Sequence, residues 1–216
     1  EFVRRAFSNL GPSTVGGMNR WIGFTMALTI GVLFSSSTVP QPDPRTKWVD
    51  SVMNTLTLER KVAQLIMIDA YSNRDGAYRH DLQQLVTKHQ PGGVMFLQGG
   101  PVRQAAITNE LQALVQVPLF IAQDAEWGLA MRLDSVRPFP WPLTVGATGK
   151  DSLAYQMGAH IAQQCKRIGV HINFGPVADV NINPDNPIIG NRSFGEQPDE
   201  VARLAVQYAL GQQDQG

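Results

Sequence analysis

Four short apolar runs, each followed by a stretch with helical spacing, constrain what this chain can fold into. They are Ile66 to Ala70, Val94 to Leu97, Pro118 to Gln123 and His171 to Phe174. Short runs that are apolar throughout are expected of strands buried on both faces. The stretches between them read as helices. Ala77 to His89 puts Leu82, Leu85 and Val86 on one face. Pro101 suits the first turn of a helix running to about Val115. Asp151 to Ile168 is long and closes at Gly169, a C-cap residue, and Pro198 to about Gln213 completes the series. Upstream, Trp48, Val49, Val52, Met53 and Leu56 recur at helical spacing. Thr57 is the candidate N-cap of a second helix with Leu58, Val62 and Leu65 on its apolar face.

Strand followed by helix, repeated, predicts a parallel sheet with right-handed crossovers. No G-x-G-x-x-G follows the first strand, which argues against a dinucleotide fold. The predicted fold class is α/β, a (β/α)8 barrel of TIM type. Only its first half is expected here, because a complete barrel takes about 250 residues and Gly216 comes just after the fourth unit. The chain therefore reads as truncated, with exposed edges on its first and last strands and marginal stability when isolated.

Composition excludes several classes. The chain has 216 residues, 43% of them apolar and 17% charged, as expected of a folded core. Eighteen basic residues balance 18 acidic ones, and no basic stripe points to nucleic acid. The one cysteine, Cys165, excludes an internal disulfide framework and a cysteine zinc site, and reads as a structural thiol. His80, His89 and His160 lie on helices without a partner at metal spacing, so no metal and no cofactor are expected. His171, at a strand start, reads as a core group with its hydrogen bonds satisfied.

The N-terminus reads as outside the fold. Met18-Asn19-Arg20, the apolar run Trp21 to Phe34 and Ser35 to Ser37 form a basic, apolar, small-residue series, so residues 18–37 are expected to be a secretory signal peptide. The apolar run falls short of the roughly 20 residues a bilayer needs. A retained anchor is the runner-up; the leading expectation is a periplasmic or secreted protein without stable membrane insertion after cleavage. Residues 1–17 precede the start methionine and read as upstream or vector-derived sequence. Residues 38–46, with Pro40, Pro42 and Pro44, read as a linker, and 47–216 as the barrel domain.

Two loops carry candidate chemistry. Phe174 to Gly195 is crowded with Asp, Asn, Pro and Gly, and holds one apolar pair expected to be buried, Ile188–Ile189, and one arginine, Arg192. In α/β proteins ligands bind at such loops, beyond the carboxyl ends of the strands. A planar guanidinium there suits recognition of hydroxyls or carboxylates. Asp179 and Asn181 either line a site or brace the loop, and bracing is the favoured reading. Ser193 lacks a G-x-S-x-G context. After the third strand come Asp124, Glu126, Trp127 and, further on, Arg132. Either the carboxylates accept sugar hydroxyls and Trp127 offers a stacking face, or Asp124 caps a turn, Glu126 is solvated and Trp127 covers the rim.

PVADVN followed by NPIIGNRSFG resembles the signature of family 3 glycoside hydrolases, nearest the β-N-acetylglucosaminidase branch. DAEWGLAMR resembles that family's D-x-E-x-G segment with an arginine eight residues beyond the aspartate. The resemblance runs from about Lys47 to Gly216, and KWVDSVMNTLTLERKVAQL and GGVMFLQGGPVRQAAITNELQ look like secreted Bacteroidetes members. It implies that Asp124, Arg132 and Arg192 bind the glycone. It implies a retaining exo-glycosidase that removes terminal β-linked N-acetylglucosamine through a covalent glycosyl-enzyme. The family's K-H-F-P-G-H-G segment, the histidine–aspartate acid/base and the nucleophilic aspartate would all lie beyond Gly216. The resemblance thus puts no catalytic residue in this chain, and the chain alone is expected to be inactive. One departure is Glu126-Trp127-Gly128, where many N-acetylglucosaminidases have Glu-Gly-Gly. A β-glucosidase or β-xylosidase of the same family therefore stays open, as does a non-catalytic glycan-binding protein.

Overall fold

The computed structural model describes residues 43–216. The expected signal peptide, the residues before it and most of the linker lie outside the described residues. The end of the linker is already helical. Asp43 accepts a hydrogen bond from the Arg45 amide at 3.2 Å, Pro44 takes the first helical position, and α1 runs Pro44–Thr55. Helix α2, Leu58–Ala63, is capped by the Thr57 hydroxyl on the Arg60 amide at 3.3 Å, as its sequence predicts.

The apolar face expected of α2 is not buried. Leu58, Val62 and Leu65 are 77%, 51% and 87% exposed. The helix ends after six residues, so its stripe never reaches the core. Its attachment is through backbone instead. The Gly92 amide donates to Ala63 carbonyl at 2.9 Å, and a Cβ on Gly92 would lie 1.9 Å from the Gln64 carbonyl oxygen. Only glycine allows that approach.

The sheet holds β1 (Met67–Tyr71), β2 (Gly93–Gln98), β3 (Phe120–Gln123) and β4 (Ile172–Asn173), all parallel in the order β1-β2-β3-β4. β1 starts one residue later than its apolar run because the Ile66 amide closes the turn out of α2 on Ala63 carbonyl. β3 starts at Phe120, not Pro118, because the Gln112 side chain takes both backbone groups of Leu119, each at 2.9 Å. β4 is two residues long, though the His171 and Phe174 amides still donate to Ile121 and Gln123 carbonyls at 2.8 and 3.0 Å. Among the described residues, β1 and β4 each pair with a strand on one side.

Register sorts the sheet into two faces. Ala70, Phe96, Gln123 and Asn173 form one row across the strands, and the first three are fully buried against the helices. The neighbouring row, Asp69, Met95, Ala122 and Ile172, points the other way. The covering helices are α3 (Gly76–His89), α4 (Pro101–Gln112), α6 (Asp151–Arg167) and α7 (Pro198–Gln213), with a short α5 (Pro142–Gly146) between β3 and α6. Helix α4 stops at Gln112, short of Val115. In α3, Leu82 and Val86 are buried, while Leu85 is turned half out.

Helices α6 and α7 touch backbone to backbone. A Cβ on Gly158 would lie 2.1 Å from the Tyr208 carbonyl oxygen, and one on Gly211 would lie 2.0 Å from that of Tyr155. This close crossing fixes Tyr208, which is fully buried, beneath the loops that leave β3 and β4. Cys165 packs in the same layer at 5% exposure, and burial pushes its thiol up to about 11. It is a structural thiol, as its sequence context predicts.

Candidate sugar-binding site

The site begins where β3 ends. Gln123 points into the helix layer, so the alternation of the strand turns Asp124 the other way, out over the carboxyl ends of the strands. The next two residues are gripped from below. Asn173 of β4 accepts from the Ala125 amide at 2.8 Å and donates back to the Ala125 carbonyl at 3.3 Å. The Tyr208 hydroxyl lies 3.1 Å from the carbonyl oxygens of both Ala125 and Glu126. Burial pushes that phenol well up, so it stays a donor.

Glu126 is not solvated. It is 4% exposed and forms a fork with Arg192: Nε to Oε2 at 2.8 Å and Nη2 to Oε1 at 2.7 Å. Arg192 Nη1 also donates to Ile188 carbonyl at 3.2 Å. A guanidinium has five N–H groups. Three are used here, which leaves one hydrogen on each terminal nitrogen with no partner among the described residues. The hydrogen bond to Glu126 holds the Arg192 guanidinium above its ordinary value, partial burial opposes this, and the charges of Glu126, Asp179 and Asp124 add to the rise.

Arg132 reaches Asp124 in a second ion pair. Gly128, at φ +94°, opens the short 3₁₀ turn Leu129–Met131 that brings Arg132 back toward the strand end. The same loop is stitched to the end of β2, with Gly99 amide donating to Arg132 carbonyl at 3.3 Å and Asp134 amide to Gly99 carbonyl at 2.7 Å. All three residues expected from sequence, Asp124, Arg132 and Arg192, thus gather on the loops after β3 and β4.

The long loop is braced from within. The Ser193 hydroxyl sits 2.6 Å from Asp179 carbonyl and 2.9 Å from Gly195 carbonyl, and the Asn181 amide donates to Gly195 carbonyl at 2.9 Å. Ser193 therefore braces the loop with its side chain, Asn181 does so only through its backbone amide, its Oδ1 being buried without a hydrogen-bond partner, and the exposed Asp179 side chain adds charge beside Arg192. Ile188, expected to be buried with Ile189, is 65% exposed. The loop is closed by Phe194, buried against Tyr208, together with the fork between Arg192 and Glu126. Trp127 packs on Trp141, ring centroids 4.2 Å apart, so it covers the rim. His171 is not the core group its sequence position suggests: its ring is exposed at the start of β4, and its Nδ1 accepts from the Ile121 amide at 3.0 Å. Among the described residues no cluster of His, Cys, Asp or Glu could hold a metal ion, and no helix is long and apolar enough to cross a membrane.

Three carboxylates (Asp124, Glu126, Asp179) and two guanidiniums (Arg132, Arg192) leave one net negative charge. Such a site offers fixed donors and acceptors without the excess positive charge an anion needs. It suits a neutral polyhydroxylated ligand.

The family model described as "Glycosyl hydrolase family 3 N terminal domain" matches residues 57–216. The chain belongs to that family. Its fold is the (β/α)8-type α/β fold, of which the described residues form four consecutive βα units. β-Hexosaminidase A of Pseudoalteromonas piscicida is 33% identical over 139 residues, covering 58% of this chain and 23% of the relative. β-Hexosaminidase LpqI of Mycobacterium tuberculosis is 31% identical over 170 residues, covering 72% and 40%. The structure of a family 3 β-N-acetylglucosaminidase from Paenibacillus superimposes with a TM-score of 0.63 at 35% identity, covering 74% of this chain and 31% of that one. The β-glucoside phosphorylase BglX bound to 2FGlc superimposes with a TM-score of 0.75 at 27% identity, covering 82% and 31%. The chain thus spans 23% to 40% of the length of these curated relatives.

Proposed function

We propose that this chain supplies the glycone-binding wall of a retaining exo-glycoside hydrolase that removes terminal β-linked N-acetylglucosamine, in carbohydrate or cell-wall metabolism. The observation that carries the reading is the convergence of Asp124, Arg132 and Arg192 at the carboxyl ends of β3 and β4, with two Arg192 hydrogens free for a ligand. Asp124 accepts hydrogen bonds from vicinal hydroxyls. Arg132 holds it charged and oriented, and Arg192 donates to a hydroxyl or acyl oxygen.

Both carboxylates at the end of β3 are committed to guanidiniums. That suits binding, and it fits a proton donor and a nucleophile supplied from outside residues 43–216. The wall needs no cofactor. The relatives called β-hexosaminidases support the amino-sugar reading. We further propose a periplasmic or secreted location, reached through the signal-like residues 18–37 and left without a stable membrane anchor once they are cleaved.

One observation favours a second reading. Trp127, packed on Trp141, stands where many N-acetylglucosaminidases have glycine, one similar structure is that of a β-glucoside phosphorylase, and a Cellulomonas fimi relative is called a β-N-acetylglucosaminidase/β-glucosidase. A β-glucosidase or β-xylosidase is therefore the alternative. Rates of hydrolysis of an aryl β-N-acetylglucosaminide and the matching aryl β-glucoside by the full-length protein decide between them. Preference for the first is expected. Preference for the second moves the substrate to glucosides, and no turnover of either overturns the enzymatic reading in favour of a glycan-binding protein.

A further inference from the structure

Glu126 is the least exposed charged side chain of the ion pairs at the site, and its carboxylate is turned to Arg192. Its side chain is 5% exposed against 31% for Arg192 and 19% for Asp124. Its backbone is locked by the buried Tyr208 hydroxyl on α7 and, through Ala125, by Asn173 on β4. Its carboxylate then engages two nitrogens of Arg192, which stands 66 residues further along, just before Ser193 and Phe194, whose buried side chains tie the loop to itself and to the core. A fork-to-fork pair fixes both the position and the plane of a guanidinium, which a single hydrogen bond does not.

Without that fork only the Nη1 bond to Ile188 carbonyl would orient Arg192. Ile188 is itself exposed, with its amide held locally by the Asn186 side chain at 2.9 Å. Phe194, buried against Tyr208, places the Arg192 backbone, but the plane of the guanidinium is set from the β3 side through Glu126.

We propose that Glu126 is a positioning residue that sets the plane of the Arg192 guanidinium and so aims its two remaining hydrogens at the sugar. This rests on the reading of Arg192 as a glycone binder. The order of action is Tyr208 and Asn173 on the Ala125–Glu126 backbone, Glu126 on Arg192, and Arg192 on the ligand. Glu126 neither touches the sugar nor takes part in proton transfer.

Two readouts test this, one of them independent of sugar. Phenylglyoxal labelling of Arg192, followed by mass spectrometry of the native full-length protein, reports whether the guanidinium is held. Glu126→Gln is expected to speed labelling about tenfold, the factor for losing roughly 1.4 kcal/mol of hydrogen bonding to a charged partner. Glu126→Asp keeps the charge one methylene short and gives an intermediate rate, which covers the case in which Glu126→Gln fails to fold. Equal rates in wild type and both variants overturn the proposal.

The second readout is the dissociation constant for N-acetylglucosamine in a double-mutant cycle. Glu126→Gln alone is expected to weaken binding about tenfold, and less than about twofold in an Arg192→Gln background, because the interaction acts through one shared partner. If Glu126→Gln weakens binding equally in both backgrounds, Glu126 acts on its own and the proposal falls. If Arg192→Gln leaves affinity unchanged while the labelling result holds, the glycone reading fails and the ion pair is only a loop clasp.

Discussion

Gly158→Ala sets two known effects against each other at one position, and the structure decides the sign. Gly158 lies inside α6, where alanine normally stabilises a helix by about 1 kcal/mol. A Cβ there, however, would lie 2.1 Å from the Tyr208 carbonyl oxygen of α7. An ordinary carbon–oxygen contact needs more than 3 Å, and the opposing atom is backbone, so no rotamer change relieves it. The helices must part by about an ångström. Overpacking of this kind costs about 3 kcal/mol. The clash exceeds the propensity gain, leaving a net loss of about 2 kcal/mol, or about 4–8 °C in Tm for a domain of this size. Since α7 carries Tyr208, the shift also loosens its hydroxyl from Ala125 and Glu126 carbonyls, and sugar affinity should fall with stability. Thermal and urea unfolding of wild type and variant provide the assay. A variant as stable as wild type, or more stable, would refute the close crossing of α6 and α7.

Asp124→Asn removes the charge that meets Arg132 and weakens the acceptor for sugar hydroxyls; N-acetylglucosamine affinity should drop by about 1.5–3 kcal/mol, the range for hydrogen bonds to charged groups, as read by titration calorimetry. Trp127→Gly restores the Glu-Gly-Gly pattern and opens the rim against Trp141, so the ratio of N-acetylglucosaminide to glucoside hydrolysis should rise; an unchanged ratio removes Trp127 from substrate choice. Burial raises Cys165 from 9.0 to about 11, so the folded state holds the thiol proton more tightly. Its contribution to stability is complete below about 9 and is lost as pH rises toward about 11, where burial of Tyr208 acts in the same direction. Urea unfolding at pH 8 and pH 10.5 should show the loss, and Cys165→Ala should reduce it.

The repeating βα pattern was legible because strands buried on both faces leave continuous apolar runs and each helix carries a stripe. The ends of elements were less legible because side chains outside the pattern set them. Gln112 captures both backbone groups of Leu119 and delays β3, and Asp43 starts α1 inside a proline-rich stretch. The face of α2 misled because a hydrophobic stripe does not say whether anything covers it; Leu58 and Leu65 are exposed. In the site, Asp124, Arg132 and Arg192 were found through motif resemblance, and the structure brings them together. For Glu126 the sequence allows either a ligand contact or a solvated carboxylate. Its partner lies 66 residues away, so no local spacing could reveal the fork. The buried Tyr208 carried no motif at all, and α5, only five residues long, gave too short a period to detect.

The most direct test of this account is a crystal structure of the full-length protein with N-acetylglucosamine bound. The account predicts the sugar on the loops after β3 and β4, with hydroxyls within hydrogen-bond reach of Asp124 and the free Arg192 hydrogens. A sugar bound elsewhere, such as the hollow beside Cys165, His171 and Gln212, with Asp124 and Arg192 untouched, would contradict it.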